Sequence, residues 1–200
     1  MSELNSKRRA SASGTDASVV LFLHGYGADG ADLLGLAEPL APQLPDTVFI
    51  AVDAPEPSMA NPMGYQWFPI PWIDGSTEAA ASEGMRRSAK LLDGFIDKVL
   101  AEEGIDADSL ILFGFSQGTM MSLHVAPRRA EPVAGIVAFS GRLMLPERLA
   151  SEAISHPPVL LIHGDADDVV PFEEMQAAGQ ALQGAEFEVY GHVQQGTGHG

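Results

Sequence analysis

Short apolar blocks alternate with longer amphipathic stretches along this chain. Blocks of four to seven largely apolar residues, typical of strands, lie at 19–23, 48–52, 110–113, 133–139, 159–162 and 187–190. Helical patterns fall between them: one capped by Asp29 and running to about Ala41, one capped by Ser76 and ending near Gly104, one after Ser116, and one whose first turn holds Pro171. This alternation predicts an α/β fold, with a mostly parallel central sheet covered by helices on both faces.

The turn after the strand at 110–113 carries the clearest chemical signal. It is the pentapeptide Gly114-Phe115-Ser116-Gln117-Gly118, and a helical pattern that Pro127 ends follows it directly. A G-x-S-x-G motif between a strand and a helix is a nucleophile elbow, which exposes the serine hydroxyl. The alternative is a glycine-rich turn with an incidental serine, because short motifs also recur by chance.

A serine nucleophile requires a base and an orienting acid, and both occur in the order serine, acid, histidine. The acid candidates Asp165, Asp167 and Asp168 follow the strand at 159–162, and spacing alone does not choose among them. His199 follows the strand at 187–190. Because the carboxyl ends of parallel strands gather catalytic groups at one edge, these placements favour a catalytic site over an incidental serine.

A further glycine-rich turn predicts an oxyanion hole. The segment His24-Gly25-Tyr26-Gly27 follows the strand at 19–23. The backbone N–H groups of Tyr26 and of Gln117, directly after the serine, are the expected donors. We expect His24 and His163 to make structural hydrogen bonds. A metal held by His163, Asp165 and Asp167 is possible, but serine hydrolysis requires neither metal nor cofactor, so none is expected.

These blocks together resemble the phospholipase/carboxylesterase family of α/β hydrolases, which includes the acyl-protein thioesterases. The matching pieces are Leu23–Gly27, Gly114–Gly118, His163–Asp167 with Val170-Pro171, and Gly198-His199, and the resemblance spans about residues 18 to 200. It implies an α/β-hydrolase fold with Ser116 as nucleophile, His199 as base and, through the family's H-G-x-x-D pattern, Asp167 as acid.

The stretch from Pro55 to Asp74 has no clear helical or strand periodicity and predicts a functional loop. Its aromatic and methionine side chains suit the wall of a substrate pocket, although packing on the following helix would also explain them. The family resemblance places Trp67 and Phe68 beside the active site. Met63, Trp67 and Phe68 are therefore the predicted substrate-binding residues.

One departure from the family concerns the end of the chain. Family members normally continue past the histidine with a helix that packs on the sheet, whereas this chain stops at Gly200. We expect this C-terminal helix to be missing, and with it a poorly restrained base, weak activity and an exposed apolar sheet face.

The composition and net charge of the chain limit the classes of partner that we expect it to bind. The chain has 11 basic and 27 acidic residues, a formal charge of −16, which argues against nucleic acids and anionic membrane surfaces. It has no cysteine and no apolar run of membrane-spanning length. We expect a flexible polar leader at 1–17 and a single domain at 18–200, in a cytoplasmic monomer or homodimer without stable membrane association.

The predicted function is a serine carboxylesterase that cleaves small or medium acyl esters through an acyl-enzyme. An acyl-protein thioesterase or a lysophospholipase would use the same chemistry on a different ester or thioester. An acyltransferase would pass the acyl group to an alcohol instead of water. From another class, a non-catalytic α/β-hydrolase scaffold used for binding remains open.

Overall fold

A seven-stranded sheet forms the centre of the protein, as seen in a computed structural model that describes residues 4–200. Its strands are β1 (Ser6–Arg9), β2 (Ser18–Leu23), β3 (Thr47–Val52), β6 (Leu110–Phe115), β7 (Gly135–Phe139), β8 (Val159–Gly164) and β9 (Val189–Gln194). A separate two-stranded hairpin consists of β4 (Glu56–Pro57) and β5 (Tyr65–Gln66). The helices are α1 (Gly30–Leu34), α2 (Ala37–Leu40), α3 (Pro71–Asp74), α4 (Glu78–Glu103), α5 (Gln117–Val125), α6 (Pro146–Glu152) and α7 (Glu173–Gly184). Two single 3₁₀ turns lie at Ala107–Ser109 and Ala126–Arg128.

The strand order is β1-β3-β2-β6-β7-β8-β9, and every neighbouring pair is parallel except β1 with β3. This arrangement confirms the predicted mostly parallel sheet. The carboxyl ends of β2, β6 and β8 therefore lie along one edge, where the turns with the predicted catalytic groups begin. At the outer strand β9, the side chains of Tyr190 and Val193 are exposed, so this end of the sheet presents apolar surface.

The core lies on both faces of the sheet because successive side chains of a strand point to opposite sides. In β2, Leu21 and Leu23 belong to the larger core on the side of α4, α5 and α7. Val20 and Phe22 belong to a smaller core on the side of α1 and α2. The central strands are therefore apolar at almost every position, as parallel strands covered on both faces require.

The longest helix, α4, buries the predicted apolar stripe against the larger core, with Met85, Leu92, Ile96 and Val99 buried and Ala89 partly buried. Its N-cap is Thr77, whose hydroxyl accepts a hydrogen bond from the N–H of Ala80, rather than the predicted Ser76. The helix ends at Gly104, which has a φ of 66° and supplies the left-handed cap that glycine favours.

The expected flexible leader at 1–17 is wrong for the described part of that segment. Residues 6–9 form β1, which pairs antiparallel with β3, and Leu4 is buried in the core. The guanidinium of Arg8 donates to Glu103 and to Asp16, so this basic side chain of the edge strand is held by carboxylates of neighbouring segments. Residues 1–3 lie outside the described part of the chain.

The single helix predicted from Asp29 to about Ala41 is two short helices. Asp29 caps the first as expected, because its carboxylate accepts the N–H of Asp32. A single helix cannot continue through Pro39, because proline has no N–H to donate to the carbonyl of Gly35 and its ring would clash with that carbonyl. Pro39 is tolerated in the first turns of a new helix, and α2 begins two residues before it.

The predicted loop at 55–74 contains regular structure that was too short for periodicity to reveal. Residues 56–57 and 65–66 form the β4–β5 hairpin, and residues 71–74 form α3. The hairpin also contacts the turn after β2, because Gly27 donates its N–H to the carbonyl of Tyr65 at 2.8 Å and Tyr65 donates to that of Ala28 at 2.8 Å. Within residues 4–200, no helix combines the length and apolar character needed to cross a membrane.

Candidate active site

Ser116 occupies a strained turn between β6 and α5. Its backbone has φ 52° and ψ −113°, a conformation that side-chain-bearing residues rarely adopt. A Cβ on Gly118 would lie 1.9 Å from the carbonyl oxygen of Leu23, so that position requires glycine. A Cβ on Gly114 would lie 2.5 Å from the N of Thr119. The two glycines thus allow α5 to start directly against β2 and β6, as the predicted elbow requires.

The three predicted triad residues lie together at the carboxyl edge of the sheet. His199 Nε2 is 3.1 Å from Ser116 Oγ, and His199 Nδ1 is 2.8 Å from Asp167 Oδ2. Because an ionised carboxylate only accepts hydrogen bonds, Nδ1 carries the hydrogen in this pair. Nε2 of the neutral ring is then free to accept the serine proton, which is the arrangement of a general base.

Geometry distinguishes Asp167 from the two competing acids. Asp165 and Asp168 are exposed, and Asp165 Oδ1 accepts the N–H of Gly196 at 2.6 Å. Asp167 is buried, which alone would raise the pKa of its carboxyl group. Hydrogen bonds from His199 and from the N–H groups of Val170 and Val169 outweigh burial and hold that pKa below its usual value. The carboxylate is therefore ionised at neutral pH.

The loop that carries His199 is tied to the loop after β8. Ala166 donates its N–H to the carbonyl of Thr197 at 3.0 Å, and a Cβ on Gly164 would lie 2.1 Å from that same carbonyl oxygen. The imidazole also packs on the ring of Phe115, with 5.0 Å between centroids. These contacts restrain the His199 side chain, contrary to the expectation of a loose terminal residue.

The two backbone N–H groups predicted to form the oxyanion hole make no hydrogen bond within the described part of the protein. Among residues 4–200, the backbone N–H groups of Tyr26 and Gln117 donate to no protein atom. The Tyr26 side chain points elsewhere, because its hydroxyl donates to Asp74 Oδ2 at 3.0 Å. Burial and this carboxylate raise the pKa of the phenol to about 12. Tyr26 is thus anchored through its side chain while its N–H stays available.

His24 is a structural residue, as predicted. It is fully buried, and its Nε2 accepts the N–H of Ala54 at 3.0 Å, so Nδ1 carries the hydrogen and donates to the carbonyl of Gly25 at 2.7 Å. Burial lowers the pKa of this imidazole. A neutral His24 therefore fixes the turn that presents the Tyr26 N–H.

The side chain of Gln117 has a structural role that the sequence did not reveal. It is fully buried, its Oε1 accepts the N–H of Trp67 at 2.8 Å, and its Nε2 donates to the carbonyl of Phe68 at 2.8 Å. These bonds attach the long loop to the residue that follows Ser116. The signal in the sequence is the glutamine that follows Ser116 in the F-S-Q-G form of the elbow, because a buried amide there needs partners.

The three predicted substrate-binding residues lie in different environments. Trp67 is fully buried, and its indole Nε1 donates to the carbonyl of His24 at 2.9 Å, so its contacts are structural rather than those of a pocket wall. Met63 is 85% exposed at the tip of the β4–β5 hairpin. Phe68 lines a cavity of about 580 Å³, which is bounded mainly by residues 68–72, by α4 and by α6 with the residues just before it.

That cavity has a largely apolar lining, which includes Phe68, Ile70, Met85, Ala89 and Met144. None of the three predicted triad residues lines it, but its wall includes Phe68, whose carbonyl accepts a hydrogen bond from the Gln117 side chain next to Ser116. Across residues 4–200, no group of three or more His, Asp or Glu side chains is arranged to hold a metal ion.

The sequence model of the phospholipase/carboxylesterase family matches residues 6–200. The chain belongs to this family. Among relatives of the phospholipase/carboxylesterase family, esterase YpfH of Escherichia coli K12 is 32% identical over 187 residues, which cover 90% of this chain and 75% of that protein. Acyl-protein thioesterase 1 of Gibberella zeae is 28% identical over 196 residues, covering 91% of this chain and 83% of the relative.

Solved structures agree with the family assignment. The crystal structure of esterase PE8 superposes with a TM-score of 0.94 at 40% identity and covers all of this chain and 92% of that one. Acyl-protein thioesterase 2 of Zea mays superposes with a TM-score of 0.76 at 27% identity, over 98% of this chain and 91% of that one. The predicted resemblance, the α/β-hydrolase fold and the class of carboxylic ester hydrolase are thereby confirmed.

Proposed function

We propose that this phospholipase/carboxylesterase family member hydrolyses carboxylic esters of small or medium acyl chains through an acyl-enzyme on Ser116. The observation that carries the proposal is the hydrogen-bonded series from Ser116 Oγ through His199 to Asp167, beside two backbone N–H groups without acceptors. This constellation supplies a nucleophile, a base, an orienting acid and an oxyanion site within one cleft.

In the first half-reaction, His199 Nε2 removes the proton of Ser116 as Oγ attacks the ester carbonyl. The N–H groups of Tyr26 and Gln117 bind the resulting oxyanion, each contributing about 3 kcal/mol to transition-state stabilisation. Asp167 holds the imidazole in its Nδ1–H form and stabilises its positive charge. The C–O bond then breaks, and the alcohol leaves with the proton that His199 returns.

In the second half-reaction, water replaces the alcohol. His199 removes a proton from this water as the water oxygen attacks the acyl-enzyme carbonyl, and the same two N–H groups bind the second oxyanion. The bond to Ser116 Oγ breaks, the serine regains its proton from His199, and the carboxylic acid leaves. No metal or cofactor takes part in these steps.

The cavity beside Phe68 supports binding of the acyl chain. Phe68 lies on its wall, and the Gln117 side chain, next to Ser116, donates to the carbonyl of Phe68. Met85 lies on its wall. Filling the cavity with Met85→Trp should shift the preference among p-nitrophenyl esters from octanoate towards acetate. An unchanged ranking would assign the acyl chain to another surface.

The primary test measures hydrolysis of p-nitrophenyl acetate, butyrate and octanoate by the wild type, by Ser116→Ala and by the exposed control Ser151→Ala. Ser116→Ala should lose at least 1,000-fold in kcat, on the order expected when a triad member is removed, while Ser151→Ala matches the wild type. A folded Ser116→Ala variant with most of its activity would overturn the assignment. An inactive but folded wild type would favour the binding scaffold.

Thioester hydrolysis is the second candidate, favoured by the similarity to acyl-protein thioesterases. Two peptides of one sequence, with S-octanoyl cysteine in one and O-octanoyl serine in the other, would compare the two linkages directly. A higher kcat/KM for the S-linked peptide would establish a thioesterase. A cytoplasmic location and a monomeric or homodimeric state stay predictions, testable by cell fractionation and light scattering.

A further inference from the structure

A second histidine contacts the carboxylate that orients the base. His163 lies near the end of β8 and is 1% exposed. Its Nε2 is 2.8 Å from the carbonyl oxygen of Val170 and 3.2 Å from Asp167 Oδ2. Nε2 carries a hydrogen and donates it to the Val170 carbonyl, which can only accept. The same N–H group lies in close polar contact with the Asp167 carboxylate.

The contacts around Asp167 use both of its oxygens. Oδ1 accepts the N–H groups of Val169 at 2.9 Å and Val170 at 2.8 Å, and Oδ2 accepts from His199 and faces His163. The Asp167 side chain has no exposed surface, so water cannot supply the contact that His163 makes. Without His163, Oδ2 would lose this polar contact and the Val170 carbonyl its donor, which would leave the carboxylate freer to rotate away from His199.

The position of the His163 ring is itself fixed. Val170 donates its N–H to Asp167 Oδ1 and accepts from His163 through its carbonyl, so one peptide segment links both side chains. The ring edge of His163 also faces Phe172, with 6.1 Å between centroids and 72° between planes. A donor held this rigidly fixes the direction in which Oδ2 points.

We propose that His163 is a positioning residue of the triad, whose Nε2–H holds the Val170 carbonyl and faces Asp167 Oδ2, so that this oxygen stays directed at His199. It acts through Asp167 and does not contact the reacting atoms. The proposal rests on the proposed function, because it assigns His163 to the orientation of that base. Its consequence is that loss of the Nε2 donor lowers kcat more than it raises KM.

Two substitutions separate the donor from the shape of the ring. His163→Phe fills the ring volume without a donor, whereas His163→Gln places an amide N–H near the position of Nε2. His163→Phe should lower kcat on p-nitrophenyl butyrate by about 10- to 100-fold, the range expected for a misplaced catalytic group, with KM within about 2-fold. His163→Gln should recover most of that loss. The exposed His192→Phe serves as the matched control and should retain wild-type kcat.

Equal losses in His163→Phe and His163→Gln would mean that only the ring shape counts and would overturn the proposal. Wild-type kcat in His163→Phe would overturn it as well. Since His163→Phe could fail to fold, the wild type provides a second test by ¹⁵N NMR of histidine-labelled protein at pH 7. The proposal requires a hydrogen on Nε2 of His163. The Nδ1–H tautomer, with a bare Nε2, would refute it whether or not Ser116 proves to be the nucleophile.

Discussion

The buried amide of Gln117 gives the sharpest stability prediction. Its two hydrogen bonds, both 2.8 Å long, satisfy the N–H of Trp67 and the carbonyl of Phe68 inside the protein. Replacement by methionine keeps a similar length, volume and helix propensity but removes both partners. Two backbone groups would then be buried without a hydrogen bond, since Gln117 and Trp67 are fully buried and Phe68 nearly so.

The expected cost follows from those two groups. A buried backbone group left without a partner costs about 1–3 kcal/mol, so the pair costs about 2–6 kcal/mol in the free energy of unfolding. The total free energy of unfolding of a domain is about 5–15 kcal/mol, so this one substitution would remove a large share of it. With a urea dependence of about 2 kcal/mol per M, the unfolding midpoint should fall by about 1–3 M.

The assay is urea unfolding followed by tryptophan fluorescence, because buried Trp67 lies beside the substituted residue. Gln180→Met is the matched control, since Gln180 is exposed on α7 and the same change there removes no buried contact. The reasoning is refuted if Gln117→Met unfolds within about 0.3 M of Gln180→Met. That outcome would mean that the loop at 67–68 is held by other contacts.

Three further predictions concern the surroundings of the site. Burial and Arg128 lower the pKa of His124 to about 4, so the stability due to this neutral ring is full above about pH 6.5 and is lost as pH falls towards 4. Relative to the wild type, the free energy of unfolding of His124→Leu should therefore rise by about 1 kcal/mol when the pH is lowered from 7.5 to 5. An equal difference in stability between the two proteins at both pH values would refute this. Tyr26→Phe removes the bond to Asp74 but keeps the backbone N–H, so calorimetry should show a loss of about 1 kcal/mol, with kcat reduced less than 10-fold. A 1,000-fold loss would require a chemical role for the phenol. Gly118→Ala should prevent folding, because its Cβ would meet the Leu23 carbonyl, whereas Gly94→Ala on the open side of α4 should stabilise by about 0.5–1 kcal/mol. A folded and active Gly118→Ala enzyme would show that α5 can move away from β2.

Much of the sheet and the grouping of Ser116, Asp167 and His199 could be predicted from the sequence. Buried parallel strands are continuous apolar blocks in the sequence. The turns at their carboxyl ends lie at one edge of the sheet, however the helices pack against it. The choice among Asp165, Asp167 and Asp168 needed either the family pattern or three-dimensional geometry. All three follow β8 directly, and only the fold shows which carboxylate points inwards.

The failures have physical reasons as well. The sequence pattern does not predict strand β1, because Ser6–Arg9 is polar and an edge strand can keep charged side chains such as Arg8 by pairing them with nearby carboxylates. Aromatic content predicts a pocket wall at Trp67, but it does not distinguish a side chain that contacts substrate from one that supports the loop. The roles of the Gln117 amide and of His163 depend on partners distant in sequence, which no local pattern encodes.

The central claim is that Ser116 is the nucleophile of this enzyme, and covalent labelling tests it most directly. The protein would be treated with a fluorophosphonate, digested, and analysed by tandem mass spectrometry to locate the adduct. We predict a single adduct on Ser116, formed in step with the loss of esterase activity and absent from Ser116→Ala. Loss of activity with the adduct on another residue, or full activity in protein fully labelled at Ser116, would contradict the account.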